Sequence, residues 1–188
     1  MTGEPRAQMP AAPLIVVIHG PNLNLLGTRE PHIYGSTTLR EIDEDLCAHG
    51  DELGVTVETF QSNHEGLLID RVQHAHGKAA GLIVNAGGLT HTSVSLRDAI
   101  AAIKVPTVEV HLSNLYSREQ FRHLSYLAPV CLGQIAGLGP IGYRLALDAL
   151  ARLVQGKRSV PSGRPSPSDT IPIKSRAATS SKKGAARK

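Results

Sequence analysis

Five short apolar runs separated by amphipathic stretches are the feature that most constrains how this chain folds. The runs read LIVVI (14–18), VTVETF (55–60), GLIVN (81–85), TVEVH (107–111) and CLGQIAG (131–137). Several are rich in β-branched residues and continuously apolar, which is typical of strands covered on both faces. Between and after them lie stretches that we predict as helices: TTLREIDEDLCAHGDEL, HEGLLIDRVQHAHG, TSVSLRDAIAAI and IGYRLALDALARLVQ.

This alternation of strands and helices predicts an α/β fold built on a doubly wound parallel sheet. Because the chain is too short for the six strands of a Rossmann sheet, we expect the flavodoxin-like strand order. Two helix starts have the pattern of a capping box, Thr38 with Glu41 and Ser62 with Glu65. Gly77 is predicted to end the second helix.

Basic residues are concentrated at the end of the chain. The whole sequence has a net charge of +4, whereas residues 1–156 carry −4 and residues 157–188 carry +8. The latter segment is rich in Ser, Pro and Ala and has few large apolar residues, so we predict that it is disordered. We therefore expect a flexible N-terminus (1–13), one flavodoxin-like domain (14–156) and a disordered basic tail (157–188).

The composition excludes several classes of protein. A basic tail can contact nucleic acid or an acidic partner without specificity, but a solubilising or lineage-specific extension is the favoured interpretation, so the tail predicts no specific nucleic-acid binding. No apolar run reaches the ~20 residues of a membrane span, and residues 1–13 lack the apolar centre of a signal peptide. Cys47 and Cys131 are isolated, which predicts reduced and buried thiols. We expect a cytoplasmic protein without membrane contacts.

In a doubly wound sheet, ligands bind beyond the carboxyl ends of the strands, so the segments that follow the strands are the candidate site. The first, at 19–35, lacks the Lys-Ser/Thr of a phosphate loop and the spaced glycines of a dinucleotide site, which argues against nucleotide binding. It contains Arg29 and Tyr34 beside Asn22 and Asn24. For Tyr34 to act as a base at neutral pH, its pKa must fall from about 10 to about 7, and nearby arginines can cause this. The alternative is a tyrosine that packs at a turn.

The segment after the third strand reads NAGGLTHTS. Asn85 ends the strand, and Gly87 and Gly88 allow the backbone to approach a ligand closely. A turn of this kind that leads into a helix presents amide donors to an anion. His91 is predicted to open the helix, where it serves either as a ligand contact or as a capping histidine.

The fourth strand has the strongest functional pattern, because Glu109 and His111 interrupt a strand that should be apolar. Residues two apart point to the same face of a strand, so the carboxylate can bind one imidazole nitrogen and leave the other to transfer a proton. The alternative is a buried structural Glu–His pair. Downstream, Ser113, Arg118 and Arg122 are candidate partners for an oxyanion or a carboxylate.

Metal catalysis has little support in the sequence. The chain has nine histidines but no HExxH or CxxC pattern. His74 and His76 are two apart on a predicted helix and cannot face one ion together. We expect a site without a metal.

Three blocks of the chain, HGPNLNLLGTREPHIYGSTT, NAGGLTHTSVSLRDA and VEVHLSNLYSREQFR, resemble the three signature blocks of the type II 3-dehydroquinate dehydratases (type II dehydroquinases). They occur in the family's order and spacing, and the resemblance covers about residues 14–155. It implies a hydro-lyase that removes water from 3-dehydroquinate to give 3-dehydroshikimate, in the shikimate pathway towards chorismate and aromatic amino acids. It also implies a flavodoxin-like fold, no cofactor or metal, and a homododecamer that is a tetramer of trimers.

The resemblance assigns the acid and the base of the reaction. Tyr34 corresponds to the base, a tyrosinate that removes the C2 proton of the substrate. Arg29, on a mobile lid, corresponds to the cation that lowers the tyrosine pKa. His111, oriented by Glu109, corresponds to the acid that protonates the departing C1 hydroxyl.

Four further positions correspond to groups that hold the enolate and the carboxylate. Asn22 and Asn85 are assigned to the water that stabilises the enolate, and Asn85 also to the substrate itself. The backbone at Leu112 and Ser113 is assigned to the substrate carboxylate.

The remaining assignments lie at the edge of the site. His91 and Arg122 correspond to residues that contact substrate hydroxyls, and Arg122 also contributes positive charge. Asp98 corresponds to a residue that reaches the site of a neighbouring subunit. Arg118 is expected to support the loop rather than touch the substrate.

The chain departs from the family pattern at two positions, His19 in place of an Asn before GPN and Leu124 in place of a His, neither of which is assigned to the chemistry. Two other classes stay open on the residues alone. A flavodoxin-like binding module without catalysis has no need of the Glu109–His111 pair, and a nucleotide-binding transferase lacks its phosphate-loop lysine here.

Overall fold

The computed structural model describes residues 11–27 and 37–159 of the chain. Tyr34 and Arg29 lie outside the described residues, as do 1–10 and 160–188. The predictions of a flexible N-terminus and a disordered tail therefore stay predictions. None of the helices in the described ranges combines the length and the apolar composition that a bilayer crossing requires.

The described residues form a parallel sheet flanked by helices. The strands are β1 (Leu14–His19), β2 (Thr56–Gln61), β3 (Gly81–Asn85), β4 (Thr107–His111) and β5 (Gly133–Ala136). The helices are α1 (Leu39–Glu52), α2 (Glu65–His74), α3 (Val94–Ile103) and α4 (Ile141–Ser159). The strand order is β2-β1-β3-β4-β5 with every neighbouring pair parallel, which confirms the flavodoxin-like prediction.

Alternate residues of the central strands pack on opposite faces of the sheet. Ile15 and Val17 of β1 belong to an apolar cluster with α1 and α4, whereas Val16 and Ile18 belong to a second cluster with α2 and α3. This division explains why the runs are continuously apolar, since both faces of each central strand are covered. The same alternation also determines the face of the sheet towards which the polar side chains at the strand ends point. By the same alternation His19 faces α1 and α4.

One of the two predicted capping boxes is confirmed and the other is wrong. Thr38 caps α1, and its backbone N–H donates to the Glu41 carboxylate at 2.8 Å. At α2 the N-cap residue is His64, with no side-chain cap. The Ser62 hydroxyl accepts from the His64 backbone N–H at 3.0 Å, while the Glu65 carboxylate accepts a hydrogen bond from Ser93 of another segment. Tertiary contacts therefore replaced the local pairing.

Several predicted boundaries differ from those observed. The helix α2 ends at His74, and Gly77 has a φ of +70° in the turn beyond it rather than directly at the helix end. The helix α4 continues to Ser159, into the first residues of the predicted tail. The prediction of two buried cysteines is wrong for Cys47, which is exposed because it is not among the α1 residues that pack into the core; its thiol lies 3.9 Å from the carbonyl of Val57.

Candidate active site

A cavity of about 250 Å³ lies beyond the carboxyl ends of β1, β3 and β4. This is the edge of the sheet at which ligands bind in doubly wound folds. Its described walls are Pro21, Asn22, Leu23, Leu25, Leu26, Asn85, Gly87, Gly88, His91, His111, Leu112, Ser113, Leu115, Arg118, Glu119 and Arg122.

Seven predicted site residues line this cavity: Asn22, Asn85, His91, His111, Leu112, Ser113 and Arg122. Glu109 lies directly behind His111. Asp98 is outside the cavity wall, on α3, where its exposed carboxylate accepts from Arg97 at 2.6 Å. Arg118, which we expected to support the loop, also lines the wall.

Glu109 and His111 form the predicted pair on one face of β4. The Nε2 atom of His111 lies 2.7 Å from Oε1 of Glu109, and both residues are buried. Because a carboxylate only accepts hydrogen bonds, Nε2 carries a proton and donates it. The second ring nitrogen, Nδ1, is then the atom that can give or take a proton.

A third residue, Ser125, completes this pair. Its hydroxyl lies 2.8 Å from one carboxylate oxygen of Glu109 and 2.9 Å from the other. It also accepts from the backbone N–H groups of Leu127 and Ala128 at 3.1 and 2.9 Å. A buried carboxylate is costly unless it is hydrogen-bonded, and Ser125 together with His111 provides those bonds. Nothing in the spacing of the sequence indicated this role.

The same carboxylate affects Cys131. Burial, and then the negative charge of Glu109, raise the pKa of the Cys131 thiol to about 12. At neutral pH the group is therefore protonated and a poor nucleophile.

The Asn85 side chain is held on the face of the sheet opposite to Glu109. Its Nδ2 donates to the hydroxyl of Tyr143 at 2.9 Å, and its Oδ1 accepts from the backbone N–H of Gly87 at 3.2 Å. Tyr143, on the first turn of α4, is fully buried. Sequence reasoning did not identify Tyr143 as a neighbour of the site, because it lies far from Asn85 in the chain.

The first two loops of the site, the segments that follow β1 and β3, contact each other through their backbones. The N–H of Gly20 donates to the carbonyl of Asn85 at 2.7 Å. A Cβ on Gly20 would lie 2.4 Å from the carbonyl oxygen of Ala86, so only glycine fits there. Gly87, which we expected to approach a ligand, has a φ of +57°, and a Cβ there would lie 3.1 Å from the carbonyl oxygen of Pro21. The lack of a side chain at Gly87 thus also allows the two loops to pack closely, while the space beside Gly88 is open and both glycines line the cavity.

Asn22 lies in the left-handed region, with a φ of 68°. Asparagine tolerates this conformation better than most residues. Its backbone N–H donates to Oδ1 of Asn63 at 2.8 Å, and Gln61 donates to the carbonyl of Gly20 at 3.3 Å. Gln61 also lies 3.4 Å from Oδ1 of Asn24. The end of β2 therefore anchors the start of the first loop.

His91 does not open α3, contrary to the prediction. It ends a 3-10 turn at Gly87–His91, and Ser93 is the N-cap of α3, because the Ser93 hydroxyl accepts from the Leu96 N–H. Nδ1 of His91 donates to the carbonyl of Leu124 at 2.7 Å. The ring stacks near His111, with centroids 6.5 Å apart. Both imidazoles therefore face one cavity.

Two arginines give the far wall its positive charge. Nε of Arg122 donates to Glu119 at 2.8 Å, and its guanidinium lies 4.9 Å from the centroid of the Phe121 ring. Arg118 also reaches Glu119, at 3.4 Å, and donates to the Ser113 hydroxyl at 3.4 Å. A cavity wall with two guanidinium groups and one carboxylate favours an anionic ligand.

Metal ligands are not gathered in the part of the chain that the structure describes: no three His, Cys, Asp or Glu side chains there lie close enough to hold an ion. The cavity thus combines an oriented imidazole, amide groups and arginines. Such a set can transfer a proton and stabilise a developing oxyanion on a small acidic molecule.

Comparison with known proteins agrees with this geometry. Residues 13–151 match the family described as dehydroquinase class II. A 3-dehydroquinate dehydratase of Ruegeria pomeroyi is 58% identical over 137 residues, which cover 73% of this chain and 92% of that protein. A catabolic 3-dehydroquinase of Aspergillus clavatus is 53% identical and covers 73% of this chain and 91% of its own length.

A solved structure has the same fold. The crystal structure of the type II dehydroquinase of Butyrivibrio crossotus superposes with a TM-score of 0.73 and 43% sequence identity. The match covers 75% of this chain and 99% of that protein.

Proposed function

Because this chain belongs to the dehydroquinase class II family and is a 3-dehydroquinate dehydratase, we propose that the cavity at the ends of β1, β3 and β4 is where it removes water from 3-dehydroquinate. The observation that carries this assignment is the buried array of Ser125, Glu109 and His111, which ends at the cavity wall. An imidazole held at Nε2 by a carboxylate is suited to deliver a proton from Nδ1.

In the proposed reaction, the C2 proton passes to Tyr34, which acts as a tyrosinate. The electron pair left at C2 is delocalised onto the neighbouring ketone oxygen as an enolate. Collapse of the enolate forms the C1–C2 double bond and expels the C1 hydroxyl, which takes a proton from His111 and leaves as water. Removal of the proton and the hydroxyl from opposite faces of the ring, an anti elimination, gives 3-dehydroshikimate. Tyr34 then releases its proton to solvent and His111 takes one up, so proton transfers alone balance the reaction and it requires no cofactor and no metal.

The enolate is where negative charge develops, and the amides of Asn22 and Asn85 are proposed to hold the water that stabilises it. Both residues line the cavity. Asn85 is fixed by two hydrogen bonds, which supports a role that depends on preorganisation.

The substrate carboxylate is proposed to bind at the backbone of Leu112 and Ser113, just beyond β4. His91 and Arg122 are proposed to contact substrate hydroxyls. The position of all four in the cavity wall supports this arrangement. Arg29 is proposed to lower the pKa of Tyr34 through its positive charge.

Assembly into a homododecamer, a tetramer of trimers, belongs to the same proposal. It is supported by exposed apolar side chains beside the site, among them Tyr116, Phe121 and Leu124, since large exposed apolar patches mark interfaces. Val94 is 56% exposed and lies one turn before Asp98 on α3. A subunit that buries this face would bring Asp98 to an interface, as its assigned role requires.

We also propose a cytoplasmic location.

Relatives of similar identity include both a 3-dehydroquinate dehydratase and a catabolic 3-dehydroquinase, so the same chemistry serves either direction of metabolism. The shikimate pathway is the setting that the activity implies.

The direct test is to mix the protein with 3-dehydroquinate and follow the ultraviolet absorbance of the conjugated enone product. We expect a rise that is proportional to enzyme and is reduced at least about 100-fold in His111→Ala. Far-ultraviolet circular dichroism checks that the variant is folded. Equal rates for the wild type and the variant would contradict the assignment of the cavity.

A further inference from the structure

A row of four hydrogen-bonded side chains runs from the surface to Asn85, on the side of the sheet opposite to Glu109 and Ser125. Oδ1 of Asp43 on α1 lies 2.9 Å from Nε2 of His19. Nδ1 of His19 lies 2.9 Å from the hydroxyl of Tyr143, which in turn accepts from Asn85. The three inner members are buried, whereas the Asp43 side chain is 26% exposed.

The sheet register brings this row together. His19 and Asn85 are paired residues at the ends of adjacent strands β1 and β3. Both side chains point towards α1 and α4, so Tyr143 on α4 can reach both of them. The rings of His19 and Tyr143 have centroids 5.3 Å apart.

The chemistry of the groups fixes the direction of every bond. The Asp43 carboxylate only accepts, so the proton lies on Nε2 of His19. The amide nitrogen of Asn85 only donates, so the oxygen of Tyr143 accepts from it. Tyr143 then gives its single proton to Nδ1 of His19, whose lone pair is left to receive it.

Tyr143 keeps the proton that this arrangement needs. Burial raises the pKa of its hydroxyl well above the ordinary value, although the hydrogen bond from Asn85 acts in the opposite sense. The hydroxyl is therefore neutral throughout the physiological range.

The orientation of the Asn85 amide is fixed from both sides. Because the N–H of Gly87 can only donate, the amide atom that faces it is Oδ1, and Nδ2 is the atom that faces Tyr143. Nδ2 carries two hydrogens, of which one goes to Tyr143. Within the described ranges no hydrogen bond uses the second, and Asn85 itself lines the cavity.

We propose that Tyr143, His19 and Asp43 are positioning residues that hold the Asn85 amide in the orientation needed for the reaction. This inference rests on the proposed function, because it assigns Asn85 a role in stabilising the enolate. None of the three is a wall residue of the cavity, so their effect on turnover passes through Asn85.

The first test is Tyr143→Phe, which removes one oxygen and keeps the ring. Nδ2 of Asn85 then has no acceptor, and the amide can rotate. Small misplacements of a reacting group are costly, so we expect kcat to fall about tenfold or more while KM changes less than about threefold. Val154→Ala, in the same helix and the same apolar cluster, is the control for lost packing and should leave kcat unchanged.

A rescue pair at position 19 separates hydrogen bonding from packing. His19→Asn places a carbonyl oxygen near the position of Nδ1, where it can accept from Tyr143, and we expect it to retain most of the wild-type kcat. His19→Leu is apolar and accepts nothing, so it should match Tyr143→Phe. Equal loss in the two variants would overturn the inference.

The decisive measurement is a double-mutant cycle between positions 143 and 85. If Tyr143 acts through Asn85, adding Tyr143→Phe to Asn85→Ala lowers kcat no further than Asn85→Ala alone. Additive losses, or a Tyr143→Phe variant with wild-type kcat beside a strongly impaired Asn85→Ala, would overturn this inference while leaving the proposed function standing. A wild-type kcat for Asn85→Ala would instead remove Asn85 from the proposed mechanism, and the inference with it.

Discussion

The hydroxyl of Ser125 spans both carboxylate oxygens of Glu109, at 2.8 and 2.9 Å. Glu109 is fully buried, and its only other side-chain partner within the described ranges is His111. The carboxylate is thus held on one side by a hydroxyl and on the other by the imidazole that it orients. Glu109 thus links the two other groups, since Ser125 and His111 each bind its carboxylate.

We expect Ser125→Ala to lower the free energy of unfolding by about 1–3 kcal/mol, because it leaves a buried carboxylate with one hydrogen bond fewer. Urea unfolding measures this. Ser95→Ala, at an exposed position on α3, is the control and should change stability by less than about 0.5 kcal/mol. Equal effects of the two substitutions would show that the Ser125 hydroxyl does not stabilise Glu109.

His111→Ala should lower kcat by about 10²–10⁴-fold, the usual contribution of a general acid. Glu109→Gln should lower it less, since it alters the orientation and charge of the imidazole but leaves the proton donor in place. Steady-state kinetics with 3-dehydroquinate give both values. Unchanged turnover in His111→Ala would make the pair a structural one.

Tyr34→Phe should abolish turnover while substrate binding is largely retained, because the change removes only the proposed basic oxygen. Arg29→Ala should lower kcat far more than stability, since the tyrosinate needs positive charge nearby. Deuterium exchange at C2 of bound substrate measures the proton transfer itself. Exchange at the wild-type rate in Tyr34→Phe would exclude Tyr34 as the base.

No Lys occurs in the three segments of the candidate site (19–35, 85–93 and 111–122), since the first two lysines of the chain, Lys78 and Lys104, lie outside them. A Schiff-base route therefore has no candidate residue there. Borohydride in the presence of substrate should leave the enzyme active, which is a useful control for the Tyr34 experiment.

Gly20→Ala should destabilise the protein and displace the first loop, because the new Cβ would lie 2.4 Å from the Ala86 carbonyl oxygen. Gly66→Ala makes the same chemical change in α2, where nothing lies within 4 Å of the new atom. There it should stabilise the protein by about 0.4–1 kcal/mol. Effects of the same sign at both sites, measured by urea unfolding, would contradict the close approach of the two loops.

The cluster around His49 predicts a pH dependence of stability. Burial lowers the pKa of His49, but its hydrogen bonds to Glu52 and Asp148 outweigh that effect and raise the pKa above the ordinary 6.5, although Arg144 opposes them. The folded state thus binds the proton more tightly than the unfolded state. The stabilisation is complete below about pH 6.5 and is lost as the pH rises through the folded-state pKa.

Variants can test how much the raised pKa of His49 contributes to the pH dependence of stability. The loss of unfolding free energy in His49→Gln should be larger at about pH 5 than at about pH 9. The control is His74→Gln, at an exposed histidine whose ring hydrogen-bonds to the Asp70 carbonyl and not to a carboxylate. A loss at His49 that is constant with pH, or larger in alkali, would contradict the pKa shift.

Much of the fold follows from local pattern. The five apolar runs and the stretches between them predicted each strand and helix to within a few residues. The reason is that amphipathic helices and strands buried on both faces each have a characteristic order of apolar residues. The Glu109–His111 contact was also predictable, since residues two apart share a face of a strand. Where two local signals competed with tertiary contacts, as at Ser62 and Glu65, the prediction failed.

By itself, then, the sequence determined the kind of sheet, the edge that carries the site and the residue types that gather there. The tertiary structure alone decided which distant groups support them: Ser125 on Glu109, Tyr143 on Asn85, and Ala86 against Gly20. The physical reason is that strand and helix patterns depend on near neighbours, whereas a hydrogen bond between His19 and Tyr143, 124 positions apart, forms only when β1 and α4 have packed on the same face of the sheet.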